Sequence, residues 1–181
     1  MHILIVGAPG VGKSTLIQKL LEHNKKPLFG FETKKEHSLA HRDWGDPIYI
    51  YEVGKPGEQR EDSLIAWCKD RRPIPKKEAF DKFAQKLNSP IPKNALILMD
   101  EIGFLEQVSP AFCKAVLSLL DGDIPILAAV KDKDTPFLQA VRTHPKARCF
   151  HITEENRNSL FSEISEYIHS LRPSRDPEAY K

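Results

Sequence analysis

Long apolar runs are missing from this chain. No stretch approaches the roughly 20 residues needed to cross a bilayer. The opening MHILIVGAPG has no basic segment ahead of its apolar residues, unlike a secretory signal. Cysteine is scarce: Cys68, Cys113 and Cys149 are the only three in 181 residues, and they form no CxxC pair. That argues against a disulfide framework or a zinc site, and for reduced thiols in a cytoplasmic protein. A dominant charge is lacking too. With 27 Lys and Arg against 25 Asp and Glu, the formal net charge is +2, which gives no electrostatic case for a dedicated nucleic-acid binder. Internal repeats and low-complexity tracts are absent. The seven histidines show no metal-ligand spacing, and His23, His41 and His169 read as solvent-facing.

What remains is a globular composition, 40% hydrophobic and 29% charged, in a length that suits one domain. Short apolar runs at 2–6, 95–99, 124–130 and 149–153 read as buried strands, and LFGF (28–31) and PIYIYEV (47–53) as further strands. Helical periodicity follows residue 13 and recurs over 76–88, with Phe80 and Phe83 as core positions. SPAFCKAVLSLLD and TPFLQAVRTH are helices with Ser-Pro and Thr-Pro starts, Ser109 serving as N-cap. Thr153 is expected to cap a closing helix from 154. The polar stretch 32–46 reads as a hairpin or mobile loop over a site, GKPGEQRED (54–62) as turn material, and 172–181 as a flexible tail. Strands alternating with amphipathic helices predict a three-layer α/β fold with a mainly parallel sheet and helices on both faces.

Residues Gly7-Ala8-Pro9-Gly10-Val11-Gly12-Lys13-Ser14 satisfy GxxxxGK[ST], between the first strand and the first helix. Glycines let backbone N–H groups wrap phosphates, and the helix N-terminus adds its positive end. Lys13 is expected on the β- and γ-phosphates, the Ser14 hydroxyl on Mg²⁺, and Thr15 on the α-phosphate. After the apolar strand ALILM come Asp100 and Glu101. An acid at the carboxyl end of a buried strand arrives where open α/β sheets bind ligands, so Asp100 is the candidate for the Mg²⁺ shell. Glu101 is the candidate for orienting or deprotonating an attacking water.

GAPGVGKST, GFETKKE, LILMDEIGFLE, PFLQAVRTHP and ITEENRNSL occur in that order. On these residues the chain resembles the small P-loop nucleoside-triphosphatases first known from thermophiles, a family that includes the cancer-related nucleoside-triphosphatase. The similarity extends over about residues 2 to 170, and its more distinctive parts are DEIGxxE and TxENR[DN]. It implies one RecA-like P-loop NTPase domain over 1–171 and slow Mg²⁺-dependent hydrolysis of ATP, GTP and other triphosphates to the diphosphate. Where family members carry an arginine shortly after GFxT, this chain has Glu36-His37, and Arg42 is the nearest arginine.

Weaker signals stay open. Asn156 and Arg157, after the last strand, are candidates for contact with the base, or simply part of a helix start. Arg142 reads as a surface cation or as an internal arginine finger. Lys131-Asp132-Lys133-Asp134 reads as a charged loop. Trp44 and Trp67 read as packing residues, or as the lining of a second-substrate side or a partner surface. Three functions fit: hydrolysis of a triphosphate, phosphoryl transfer to a nucleoside or nucleotide, and nucleotide-gated display of a partner site by the 32–46 loop.

Overall fold

The computed structural model describes residues 1–55 and 61–170. The expected tail, and part of the expected 54–62 turn, lie outside the described residues. Within the described residues eight strands form one sheet: β1 (His2–Gly7), β2 (Leu28–Lys35), β3 (Asp46–Glu52), β4 (Leu64–Lys69), β5 (Arg72–Pro75), β6 (Leu96–Ile102), β7 (Ile126–Lys131) and β8 (Ala147–His151). Their order is β5-β4-β3-β2-β6-β7-β1-β8. Pairing is parallel from β2 through β6, β7 and β1 to β8, and antiparallel through the β2-β3-β4-β5 wing. Strand β7 stands between β1 and β6, so the strand feeding the glycine loop and the strand bearing the acids share a neighbour.

Among the described residues five α-helices cover the sheet: α1 (Lys13–Leu21), α2 (Lys77–Leu87), α3 (Pro110–Asp121), α4 (Pro136–Arg142) and α5 (Leu160–Ser170). Side-chain alternation along the central strands divides the core in two. Leu4, Val6, Ile97, Met99, Ala128 and Val130 face α2, α3 and α4, where Phe80, Phe83 and Phe112 pack with Phe31. Ile3, Ile5, Leu98, Leu127 and Ala129 face α1 and α5 through Leu16, Ile17, Leu160 and Ile164. The expected three-layer architecture, a mainly parallel sheet with helices on both faces, is the one observed.

Some boundaries differ from expectation, each for a local reason. The 32–46 stretch takes the hairpin form of its two expected alternatives: β2 runs on through the polar residues Glu32–Lys35, which pair antiparallel with β3, so less of it is loop than its polarity suggests. A single 3-10 turn (His37–Leu39) and the His41–Gly45 bridge organise the remainder. The closing helix starts at Leu160 instead of 154. Thr153 and Asn156 hold a turn there, with the Thr153 N–H donating to Asn156 Oδ1 (2.8 Å) and the Asn156 N–H to Thr153 Oγ1 (3.2 Å). Ser109 caps α3 as expected, accepting the Phe112 N–H at 3.1 Å. Trp67 packs against Tyr49, Tyr51 and Leu64, whereas Trp44 is exposed.

Candidate functional site

The loop of residues 7–12 is built around glycine. Gly10 and Gly12 have φ of +77° and +108°, in the left-handed region, with open space where a Cβ would stand. Conformation, not crowding, requires glycine there. Gly7 is the opposite case, since a Cβ would lie 2.7 Å from Ile152 Cγ2 and 2.8 Å from its carbonyl oxygen. Gly12 stands at the N-cap of α1 without a side-chain cap, and the first turn carries no acid. Its orphan N–H groups, at the positive end of the helix, suit an anion.

Lys13 is buried, and its Nζ donates to the carbonyls of Gly7 (2.9 Å) and Ala8 (2.8 Å). It also meets Glu101 Oε2 at 2.8 Å. Ser14 and Thr15 are exposed on the helix start, and the Ser14 hydroxyl donates to Asp100 Oδ1 at 2.9 Å. The sheet thus brings the loop lysine and hydroxyl onto the two acids predicted from sequence.

A bulge explains how neighbouring acids both reach the loop. Met99 and Ile102 pack in the same core cluster although a regular strand would point them to opposite faces. Against β7 the register slips between these two residues: Met99 pairs with Ala128, Ile102 with Val130. The extra residue re-aims the intervening side chains, as bulges beside functional sites do. The Asp100–Glu101 peptide is cis. On the β2 side, the Glu101 N–H donates to Thr33 Oγ1 at 3.3 Å, and Glu32 stands beside Asp100 in register.

Burial pushes the Asp100 carboxyl up to about 6, the Ser14 hydroxyl opposes that, and the charges of Glu101 and Glu32 add to it. A cation placed there would relieve the crowding of acids. Among the described residues no three His, Cys, Asp or Glu side chains converge to hold a metal by themselves. A hydroxyl beside one carboxylate nevertheless fits magnesium, which takes most of its octahedral ligands from phosphate and water.

Two side chains that sequence reasoning missed complete the cluster. Lys131, the last residue of β7, lies in register with Gly7 and meets Glu101 Oε1 at 3.0 Å. The Lys-Asp-Lys-Asp run conceals it, because only the strand end turns its first lysine inward. Glu106 is buried in the short turn Leu105–Val108, its Oε1 accepting the Gly103 N–H at 3.0 Å and its Oε2 without a hydrogen-bond partner. Desolvation drives its carboxyl up to about 7. Its signal was the last residue of DEIGFLE, a stretch distinctive in sequence but silent about role.

Other candidates stand elsewhere. The Arg142 guanidinium donates to the Lys133 carbonyl at 2.7 Å and lies 3.9 Å from each of Asp132 and Asp134. Asn156 is engaged in its turn, its Nδ2 donating to the His151 carbonyl at 2.8 Å. Arg157 lines a cleft of about 210 Å³ with Gly12, Thr15, Lys19 and Asn158. His23, His41 and His169 are exposed as expected, while His2 is fully buried with Nε2 against the Leu120 carbonyl at 2.8 Å.

A glycine loop opening α1, with acids delivered to it by a parallel strand one place removed, defines a P-loop nucleoside-triphosphatase fold and site. Similarity to known proteins agrees with this class. The NTPase family model matches residues 2–165, and the chain belongs to that family. Nucleoside-triphosphatase THEP1 of Thermotoga petrophila is 31% identical over 170 residues, covering 91% of this chain and 90% of the relative. The cancer-related nucleoside-triphosphatase homolog of Mus musculus is 28% identical, covering 94% and 98%. Among solved structures, THEP1 from Aquifex aeolicus superposes with a TM-score of 0.66 at 23% identity, covering 91% of this chain and 96% of its own. The solution structure of a human cancer-related nucleoside triphosphatase gives 0.64 at 25% identity, covering 95% and 99%.

Proposed function

We propose that this protein is a Mg²⁺-dependent nucleoside-triphosphatase that hydrolyses ATP, GTP and related triphosphates to diphosphate and phosphate. The observation that carries the reading is the joining of the acid pair to the phosphate loop, Glu101 to Lys13 at 2.8 Å and Asp100 to Ser14 at 2.9 Å. The family and the printed activity of its relatives support it. In this reading the loop N–H groups of residues 7–15 hold the polyphosphate, and Lys13 moves from its loop carbonyls to the β- and γ-phosphates. Ser14 and Asp100 are the residues that would hold magnesium, which supplies neutralisation of phosphate charge. Glu101 orients a water and takes its proton as the water oxygen bonds to the γ-phosphorus. The bond from phosphorus to the bridging oxygen breaks, and its electron pair leaves with the diphosphate. Arg157, on the cleft beside Gly12 and Thr15, is the candidate for base or ribose contact, with Asn156 holding the turn that presents it.

The test is phosphate release from a panel of labelled triphosphates, with and without Mg²⁺, and with and without added nucleosides and monophosphates. Mg²⁺-dependent release that needs no acceptor is expected. Label appearing only in a phosphorylated acceptor would replace hydrolysis with phosphoryl transfer.

A further inference from the structure

The Glu101 carboxylate is held between two ammonium groups. Lys13 Nζ is 2.8 Å from Oε2 and Lys131 Nζ is 3.0 Å from Oε1. These cations differ in what else they serve. Lys13 belongs to the phosphate loop, and a triphosphate carries more negative charge than one carboxylate, so bound substrate draws Lys13 away. Lys131 is the ammonium that stays. We infer that Lys131 is a positioning residue for hydrolysis, anchoring Glu101 through Oε1 so that Oε2, the oxygen facing Lys13, is left to receive the proton of the attacking water. This inference rests on the hydrolytic reading of Glu101.

The seat of Lys131 is constructed for that task. Its backbone ends β7 opposite Gly7 of β1, and the Asp132 N–H donates to the Gly7 carbonyl at 3.2 Å, tying the lysine to the start of the phosphate loop. Its stem crosses Gly103, where a Cβ would come within 3.1 Å of Cδ. Its ammonium lies 5.7 Å from the centroid of the Phe104 ring, within cation–π range. Beneath Gly103 is the buried Glu106 carboxyl. The unpartnered Glu106 Oε2 and Lys131 Nζ flank the same missing Cβ, at 3.5 and 3.6 Å. A buried acid so placed favours a cation on its open side. Arg142 does a different job, because its guanidinium is committed to the 132–134 loop that follows Lys131.

The experiment is a double-mutant cycle. Turnover and KM for phosphate release, and the affinity for a fluorescent non-hydrolysable ATP analogue, are measured for wild type, Lys131→Met, Lys131→Arg, Glu101→Gln and the Lys131→Met/Glu101→Gln pair. Thermal unfolding confirms that each variant is folded. A residue that acts by aiming another group changes kcat, so Lys131→Met should lower kcat about 10- to 100-fold with KM and analogue affinity within about twofold. Lys131→Arg keeps a cation on Oε1 and should recover most of the loss, which also serves should the methionine variant fail to fold. Placed on Glu101→Gln, Lys131→Met should cost nothing further, because the group it aims is gone. Multiplying losses in the pair would overturn the inference. So would a fall in analogue affinity at unchanged kcat, which would assign Lys131 to the γ-phosphate. Full turnover in Glu101→Gln alone would overturn the hydrolytic reading itself, and this role with it.

Discussion

Single residues around the phosphate loop carry charge that burial makes consequential, and Glu106 is the clearest case. Its carboxyl ionises near 4.5 when exposed and near 7 in the folded protein, chiefly through desolvation. Below pH 4.5 it is protonated in both states and makes no difference to stability. Between 4.5 and 7 the unfolded chain gives up its proton first, so stability falls as pH rises, and above 7 the full penalty remains. That penalty is on the order of 3 kcal/mol. Glu106→Gln removes the ionisation. Its amide costs the same at every pH, so the pH-dependent part of the difference is the informative quantity. Urea unfolding should show the variant gaining on wild type between pH 4.5 and pH 8 by an amount of that order. An unchanged difference across that range would mean the carboxyl is not held in the apolar setting described.

Lys13 makes the complementary case. Its ammonium is buried against two carbonyls and Glu101. Lys13→Ala should abolish the triphosphate-dependent rise in unfolding temperature, which for wild type corresponds to about 2.7 kcal/mol at a 100-fold excess over Kd. Calorimetry with Mg-ATP checks this, and a retained shift would mean the phosphates do not engage Lys13.

At the scale of elements, helix α3 offers a contrast with the site. Ser109 is fully buried at its N-cap, accepting the Phe112 N–H and donating to Asp81 Oδ1 at 2.5 Å. Ser109→Ala should cost about 1–2 kcal/mol of stability, measured by denaturant unfolding, while phosphate release per folded molecule is unaffected. A specific loss of turnover would mean that α3 communicates with the loop.

Elements were legible where one physical signal dominated. The strand–glycine loop–helix unit of β1 and α1 was plain, as were the apolar strand before Asp100 and the capped starts of α3 and α4. Strands β4 and β5 were not, for identifiable reasons. Their connecting residues Asp70 and Arg71 have φ of +50° and +62°, a conformation normally announced by Asn-Gly or Asp-Gly. Strand β5 reads Arg-Pro-Ile-Pro, which is tolerated only because it lies at the sheet edge. The bulge between Met99 and Ile102 was also invisible, since a one-residue slip in register leaves no trace in an apolar run followed by two acids. Hence Asp100 and Glu101 were found while the manner of their delivery was not. Lys131 and Glu106 were missed because solvated charge and buried charge look alike in sequence.

Across the whole molecule, two cores on opposite faces of one sheet clamp β1, β6 and β7 so that their carboxyl ends arrive together. Among the described residues no helix is long and apolar enough to cross a membrane. The phosphate loop comes from β1, the acids from β6 and the second lysine from β7, so the site depends on the register of three parallel strands. In this account that register exists to set one carboxylate beside a bound polyphosphate. The most direct measurement is a single-turnover assay of labelled triphosphate pre-bound to wild type and to Glu101→Gln, with affinity recorded in the same samples. The expected result is unchanged affinity with phosphate release slowed by roughly 10²- to 10⁴-fold. Release at the wild-type rate from a fully bound Glu101→Gln protein would contradict the account.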